Sequence, residues 1–252
     1  MKLKTTLVGG LLAAAMSLSA GLAQAGDKIR IATEGAYAPF NMVDASGQLQ
    51  GFDVDIAKAL CAEMKADCDI VAQDWDGIIP GLRAKKYDAI IASMSITKER
   101  QRVVDFTDAY YSNVLAFVAA KGKSLETTKD GLKGLVVGAQ RATIAGQHLE
   151  DQLGDVVTVK LYDTQDNAYL DLEAGRLDAL LSDKFPAYDW LSTDAGQKFE
   201  FKGSDIDIND KIGIAVRKND PLTDKFNRAL KAIVDNGKYA EINARYFPFS
   251  IY

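Results

Sequence analysis

Leu82-Arg83-Ala84-Lys85-Lys86-Tyr87-Asp88-Ala89-Ile90-Ile91 can be laid on Leu172-Glu173-Ala174-Gly175-Arg176-Leu177-Asp178-Ala179-Leu180-Leu181 without a gap. Each copy reads as the tail of a helix, a turn with a basic residue, then Asp-Ala and two large aliphatics. Helix-turn-strand units can resemble each other by chance. The sequence around both copies instead favours two lobes of the same build.

Working outward from the first copy, Lys28–Thr33 (KIRIAT) alternates as a strand does, and Phe52–Met64 has helical spacing through Ile56, Leu60 and Met64. Asp69–Ala72 reads as a short strand, Trp75-Asp76-Gly77 leads into a helix over Ile78–Ala84, and Tyr87–Ala92 is an apolar strand. Around the second copy the same rhythm gives a strand over Leu135–Ala139, a helix over Thr143–Leu153, a strand over Val156–Tyr162, a helix over Asn167–Ala174 and a strand over Leu177–Leu181. Repeated β-α-β units predict an α/β fold, each lobe a mostly parallel sheet flanked by helices. The apolar segments Tyr110–Ala120 and Lys211–Val216 connect the units, and a terminal helix is expected over Thr223–Asn236. If that helix returns to the first lobe, the chain crosses twice. The boundaries read from this are 26–112 with 212–252 for lobe 1, 117–207 for lobe 2, and hinge strands at 113–116 and 208–211. A double crossing makes a hinge, and a hinge makes a cleft.

Lys2 and Lys4 precede an uncharged run from Leu7 to Leu22 and then Ala23-Gln24-Ala25, the pattern of a cleaved signal peptide over residues 1–25, with the mature chain starting near Gly26. Those 25 residues carry two lysines and no acid, so the remainder has a formal charge of −7 rather than −5. An acidic chain argues against nucleic acid or an anionic membrane as partner, and no later run has the length of a membrane helix. Cys61 and Cys68, the two cysteines, read in an exported protein as one short-loop disulfide, with two free thiols as the alternative. His148 is the single histidine and reads as a surface residue, so no metal site is expected and no cofactor is called for. Gly122-Lys123-Ser124 lacks the upstream glycine of a phosphate loop, Phe117 standing in its place.

Open α/β sheets bind ligands at the carboxyl ends of their strands, here just after Thr33, Ala92, Ala139 and Leu181. Those ends carry Glu34 and Tyr37; Ser93, Met94, Ser95, Thr97 and Arg100; Gln140, Arg141, Ala142 and Thr143; and Ser182 with Asp183. Trp75 follows the second strand. A zwitterionic amino acid needs an anion for its ammonium, which Asp183 can supply. Its carboxylate needs a cation, for which Arg100 offers a two-pronged fork, and N–H donors, which a helix opening at Thr143 leaves free. Glu34 is a spare acid, and Tyr37 and Trp75 are flat faces, a set that suits a long side chain ending in a cation.

Glu34-Gly35-Ala36-Tyr37-Ala38-Pro39-Phe40, Gly51-Phe52-Asp53-Val54-Asp55, Asp74-Trp75-Asp76-Gly77-Ile78-Ile79-Pro80-Gly81-Leu82 and the run Asp88 to Arg100 resemble the polar amino-acid-binding proteins of ABC importers, solute-binding protein family 3. Gly213-Ile214-Ala215-Val216-Arg217-Lys218 extends the likeness over essentially the whole mature chain. Its nearest subgroup is the lysine/arginine/ornithine- and histidine-binding proteins. The resemblance implies the two-lobed periplasmic binding protein fold (type II) joined by two hinge strands, a Cys61–Cys68 disulfide, and a monomer that serves a permease/ATPase complex of the inner membrane from the periplasm. It further implies that Arg100, Ser95 and the backbone around Ala142 and Thr143 hold the α-carboxylate. Asp183 and Ser93 would hold the α-ammonium, Tyr37 and Trp75 would flank the stem, Glu34 would meet the distal cation, and Met94 and Ala139 would complete the lining. Several positions depart from the subgroup. Ala92 stands where serine is usual, Glu34 replaces a shorter aspartate, Trp75 replaces phenylalanine, and the loop from Gln140 to Ile144 differs. Arg141, if it pointed inward, would disfavour a cationic ligand. The same fold hosts dehydratases, for which Glu34 is the one candidate general acid; the residues otherwise describe a binding protein and not an enzyme.

Overall fold

The alternation of KIRIAT is realised as strand β1 (Lys28–Thr33) in a computed structural model that describes residues 28–252. The leader over residues 1–25 and the start at Gly26 lie outside the described residues. Ile29 and Ile31 point to one face of the sheet and Ala32 to the other, the period of two that strand geometry imposes. After β1 come β2 (Ala36–Tyr37), β3 (Asn41–Val43) and β4 (Leu49–Gln50), a small antiparallel sheet that the sequence reading did not anticipate. Helix α1 (Phe52–Met64) follows, with β5 (Asp67–Ala72), α2 (Trp75–Arg83), β6 (Ala89–Ile90) and the long strand β7 (Val104–Ala120). The second unit comprises α3 (Lys129–Leu132), β8 (Val136–Gln140), α4 (Ile144–His148), β9 (Thr158–Tyr162), α5 (Gln165–Glu173), β10 (Ala179–Asp183) and α6 (Lys184–Leu191). The 19-residue strand β11 (Phe199–Arg217) returns to the first unit, which α7 (Leu222–Asp235) and α8 (Lys238–Tyr246) complete.

The eight main strands lie in the order β5-β1-β6-β11-β7-β10-β8-β9. Parallel pairs flank the centre: β1 with β5 and β6, and β8 with β9 and β10. The centre is the antiparallel ribbon of β7 and β11, whose register slips between Lys202 and Ile206 and again between Ile206 and Asp210. On the first lobe one sheet face packs Ile29 and Ile31 against Phe52 and Ile56 of α1, Phe226 of α7 and Ile242 of α8, while the other packs Ala32 and Ile90 against Ile78 and Leu82 of α2. The second lobe repeats the arrangement, with Leu132, Ala145 and Leu181 on one face and Ala168, Leu172 and Leu180 on the other. Burying each such large aliphatic or aromatic side chain contributes about 1.5–3 kcal/mol. The chain therefore crosses between lobes twice, and the terminal helices close the first lobe.

Local chemistry explains where elements begin and stop. Gly51 precedes α1 with φ 126°, and a Cβ there would lie 2.3 Å from the Phe40 carbonyl oxygen, so the turn requires glycine. Cys61 and Cys68 are joined as a disulfide that ties the end of α1 to β5. The strand expected over Tyr87–Ala92 is realised only over Ala89–Ile90, and the chain then bends at Ala92 and Ser93, the latter at φ 52°. The helix expected over Thr143–Leu153 is α-helical only to His148, and Leu149–Leu153 forms a wider π turn.

Candidate functional site

Two short networks fix the first lobe's contribution. Asp53, fully buried in the first turn of α1, accepts hydrogen bonds from Asn41 Nδ2 (2.9 Å), Ser93 Oγ (2.9 Å) and Tyr110 Oη (2.6 Å). Asn41 in turn accepts from the Gly35 amide at 2.8 Å, so one buried carboxylate shapes both the loop that carries Glu34 and Tyr37 and the turn that carries Ser93. Burial pushes the Asp53 carboxyl up to about 6 against those three donors. Arg100 opens a 3-10 turn and sends Nη1 back to the Ser95 carbonyl at 2.9 Å, with its guanidinium 5.3 Å from the centre of the Trp75 ring.

From the second lobe come Gln140 at the end of β8, Thr143 as the cap of α4, and Asp183 at the end of β10. Thr143 Oγ1 accepts the Gly146 amide at 3.1 Å. Asp183 occupies the position before α6 but makes no cap hydrogen bond. Its carboxylate turns into the cleft instead, where Oδ2 accepts from Tyr37 Oη at 2.7 Å and the buried Oδ1 has no protein partner.

Glu34, Tyr37, Trp75, Ala92, Ser93, Ser95 and Arg100 from the first lobe, with Gln140, Thr143, Ile144 and Asp183 from the second, line one narrow interlobe cavity. Eight of the eleven residues singled out in the sequence meet there. Met94 and Ala139 do not: their side chains are fully buried in the cores of the first and second lobe, so only their backbones can face a ligand. Ala142 is exposed at φ 57° and contributes its carbonyl, which accepts Arg100 Nη2 at 2.9 Å. Tyr37, read as a flat face, is also the hydrogen-bond donor to Asp183 across the cleft. The Ser93 hydroxyl gives its proton to Asp53 and keeps its lone pairs for a donor. Arg141 points outward: its guanidinium bridges Asp76 of the first lobe (Nε, 2.9 Å) and Asp163 of the second (Nη2, 2.5 Å) at the cleft mouth. His148 is half-buried rather than on the surface, and burial lowers its pKa.

Electrostatics separate the two ends of the cavity. Burial raises the Asp183 carboxyl, and the charge of Asp210 raises it further. Asp210, on β11, is itself buried and held by Ser95 Oγ (3.2 Å) and Asn113 Nδ2 (3.1 Å). Desolvation lowers the Arg100 pKa while Asp210 and Asp183 oppose that, and the guanidinium stays charged at any physiological pH. Burial pushes Glu34 up to about 7, although it accepts Gln140 Nε2 at 2.7 Å. The sequence reading missed Asp53 and Asp210 as site-shaping groups, and placed Gln140 on the right edge without giving it a role. An aspartate two residues into an apolar helix, as in Gly51-Phe52-Asp53-Val54, was the available signal for the first. Among the described residues no group of three or more His, Cys, Asp or Glu side chains is arranged to hold a metal ion.

An arginine and an aspartate brought into one interlobe cavity match what the whole chain matches. Residues 29–249 fit the family described as bacterial extracellular solute-binding proteins, family 3. The chain belongs to that family. Among its relatives, the L-arginine-binding protein of Pseudomonas aeruginosa is 44% identical over 257 residues, covering 99% of this chain and 98% of the relative. The lysine/arginine/ornithine-binding periplasmic protein of Escherichia coli is 40% identical, covering 94% and 97%. A solved ancestral arginine-binding protein bound to arginine superposes with a TM-score of 0.83 at 34% identity, covering 88% of this chain and 99% of that one. The two-lobed fold read from the strand rhythm is the fold of these relatives.

Proposed function

We propose that this protein is the periplasmic substrate-binding component of an amino-acid ABC transporter and that it closes around a cationic L-amino acid. The observation that carries the reading is the unpartnered buried Oδ1 of Asp183, in the second lobe, sharing a cavity with the Arg100 guanidinium of the first. A buried carboxylate oxygen without a donor costs free energy that an ammonium group repays, and Arg100 is the matching fork for a carboxylate. In this reading Asp183 and Ser93 hold the α-ammonium, and Arg100, Ser95 and the backbone at Ala142 and Thr143 hold the α-carboxylate. Tyr37 and Trp75 flank the stem and Glu34 meets the distal cation. The lobes are 26–112 with 212–252 and 117–207, hinged at 113–116 and 208–211. Because the ligand touches both lobes, it favours the closed state by its differential affinity for that state, and a monomer in that state delivers it to the permease and ATPase. The signal peptide over residues 1–25 brings the protein to the periplasm.

One observation favours a second reading: a buried acid pushed up to about 7, as Glu34 is, is also what a general acid requires. A thermal-shift screen of amino acids, opines and polyamines separates the possibilities, with recovery of the added compound. Stabilisation by arginine, lysine, ornithine or histidine, recovered unchanged, is the expected result. A converted compound establishes an enzyme, and stabilisation by none of the four overturns the cationic assignment.

A further inference from the structure

We infer that Gln140 determines how strictly the cleft separates cationic from neutral amino acids; the inference rests on the amino-acid reading above. Gln140 closes β8 on the second lobe and is 1% exposed. Its Nε2 donates across the cleft to Glu34 Oε1 at 2.7 Å and, within its own lobe, to the Asp163 carbonyl at 3.3 Å. Both amide hydrogens are thereby used, which fixes the nitrogen toward Glu34. Glu34 is 8% exposed, and among the described residues no lysine or arginine pairs with it. Asp166, Asp74 and Asp76 surround it with charge of its own sign.

A ligand with a distal cation supplies Glu34 with donors and opposite charge. A neutral ligand such as glutamine brings no opposite charge and only an uncharged terminal amide as donor, and closing over it would bury an acid short of a partner. Gln140 provides that partner from the protein, and only when the lobes meet. It therefore matters most for neutral ligands, since a guanidinium or ammonium shares the task in the cationic complexes. Its presence makes the cleft tolerant, and its removal makes the cleft selective. The bond to the Asp163 carbonyl is common to every closed complex and cancels when two ligands are compared.

The test is calorimetry with arginine and glutamine at pH 8 on the full mature protein and two variants. Gln140→Leu removes the donor at similar volume; it lowers glutamine affinity at least about tenfold and arginine affinity less than about threefold, the scale expected for a hydrogen bond to a charged group. Gln140→Glu faces Glu34 with a second carboxylate and raises the arginine-to-glutamine ratio in the same direction, so the assignment survives a folding failure of the leucine variant. A residue with only a packing role lowers both affinities alike. A ratio unchanged within threefold overturns the assignment while leaving the amino-acid reading intact. So does a parent protein that binds arginine but not millimolar glutamine. A parent protein that binds neither overturns the amino-acid reading and this inference with it.

Discussion

Acidification from pH 8 to pH 6 should erode the preference for arginine over glutamine by about tenfold, and the reason lies in one side chain. In the closed cleft with no distal cation beside it, burial holds Glu34 at about 7, above the usual carboxylate range. In a glutamine complex Glu34 keeps that environment and takes up a proton as the pH falls through 7. In an arginine complex the distal cation needs the ionised form, so below pH 7 arginine must displace a proton. Glu34 is about nine-tenths ionised at pH 8 and about one-tenth at pH 6, a change of roughly 1.4 kcal/mol in the difference between the two binding free energies. Burial raises Asp183 and Asp210 as well, but in the proposed pose Asp183 faces the amino-acid head group common to both ligands and Asp210 lies outside the cavity lining, so the ratio cancels them. Isothermal titration of both ligands across this range, on the parent and on Glu34→Gln, reads the effect directly. The glutamine variant should lose most of its arginine affinity, keep its glutamine affinity, and show a ratio independent of pH. A parent ratio that moves less than threefold refutes the reasoning, as does a variant that retains the full pH dependence.

Three further perturbations follow from named contacts. Asp183→Ala leaves a buried ammonium unpaired and should weaken arginine by roughly 3–5 kcal/mol, two to three and a half decades in calorimetry; a loss under fivefold removes Asp183 from the site. Arg141→Ala cuts the tie to Asp76 and Asp163 at the cleft mouth and should speed arginine dissociation in stopped-flow by roughly two- to fivefold, a difference that 0.5 M salt abolishes. Replacing both Cys61 and Cys68 by alanine opens a loop of sequence separation 7. That should cost about 2–3 kcal/mol of stability by the loop-closure argument and lower the melting temperature by roughly 5–10 °C, with arginine affinity within twofold of the parent.

The sequence exposed the architecture more fully than the site. KIRIAT and Phe52–Met64 carry their periodicity openly, and both appear with the boundaries read from them. Helix α8 escaped because its apolar positions are few and Gly237 in the left-handed region separates it from α7. β7 begins six residues earlier than the apolar run suggested, since Asp105, Thr107 and Asp108 interrupt the hydrophobic pattern while the strand continues to pair with β11 through two register shifts. At the site, strand-end logic brought Glu34, Tyr37, Ser93, Arg100, Thr143 and Asp183 to one cavity. Residue type at a strand end does not reveal direction, however, so Met94 and Ala139 were expected to line the cleft and instead pack inward. Asp210 depends on Asn113, 97 positions away in the chain, and the orientation of Arg141 depends on Asp76, 65 positions away, distances over which local patterning carries no information.

The position of β11 between β6 and β7 makes the two lobes differ in how much of the chain each needs in order to close. Strands β8 to β10 of the second lobe and the helices between them are contiguous in sequence, whereas β6 of the first lobe pairs with β11, which follows all of them in the chain. We predict that on refolding the amides of β8 and β10 gain protection from hydrogen exchange before those of β1 and β6. Simultaneous protection of both halves would show that the late strand imposes no such delay.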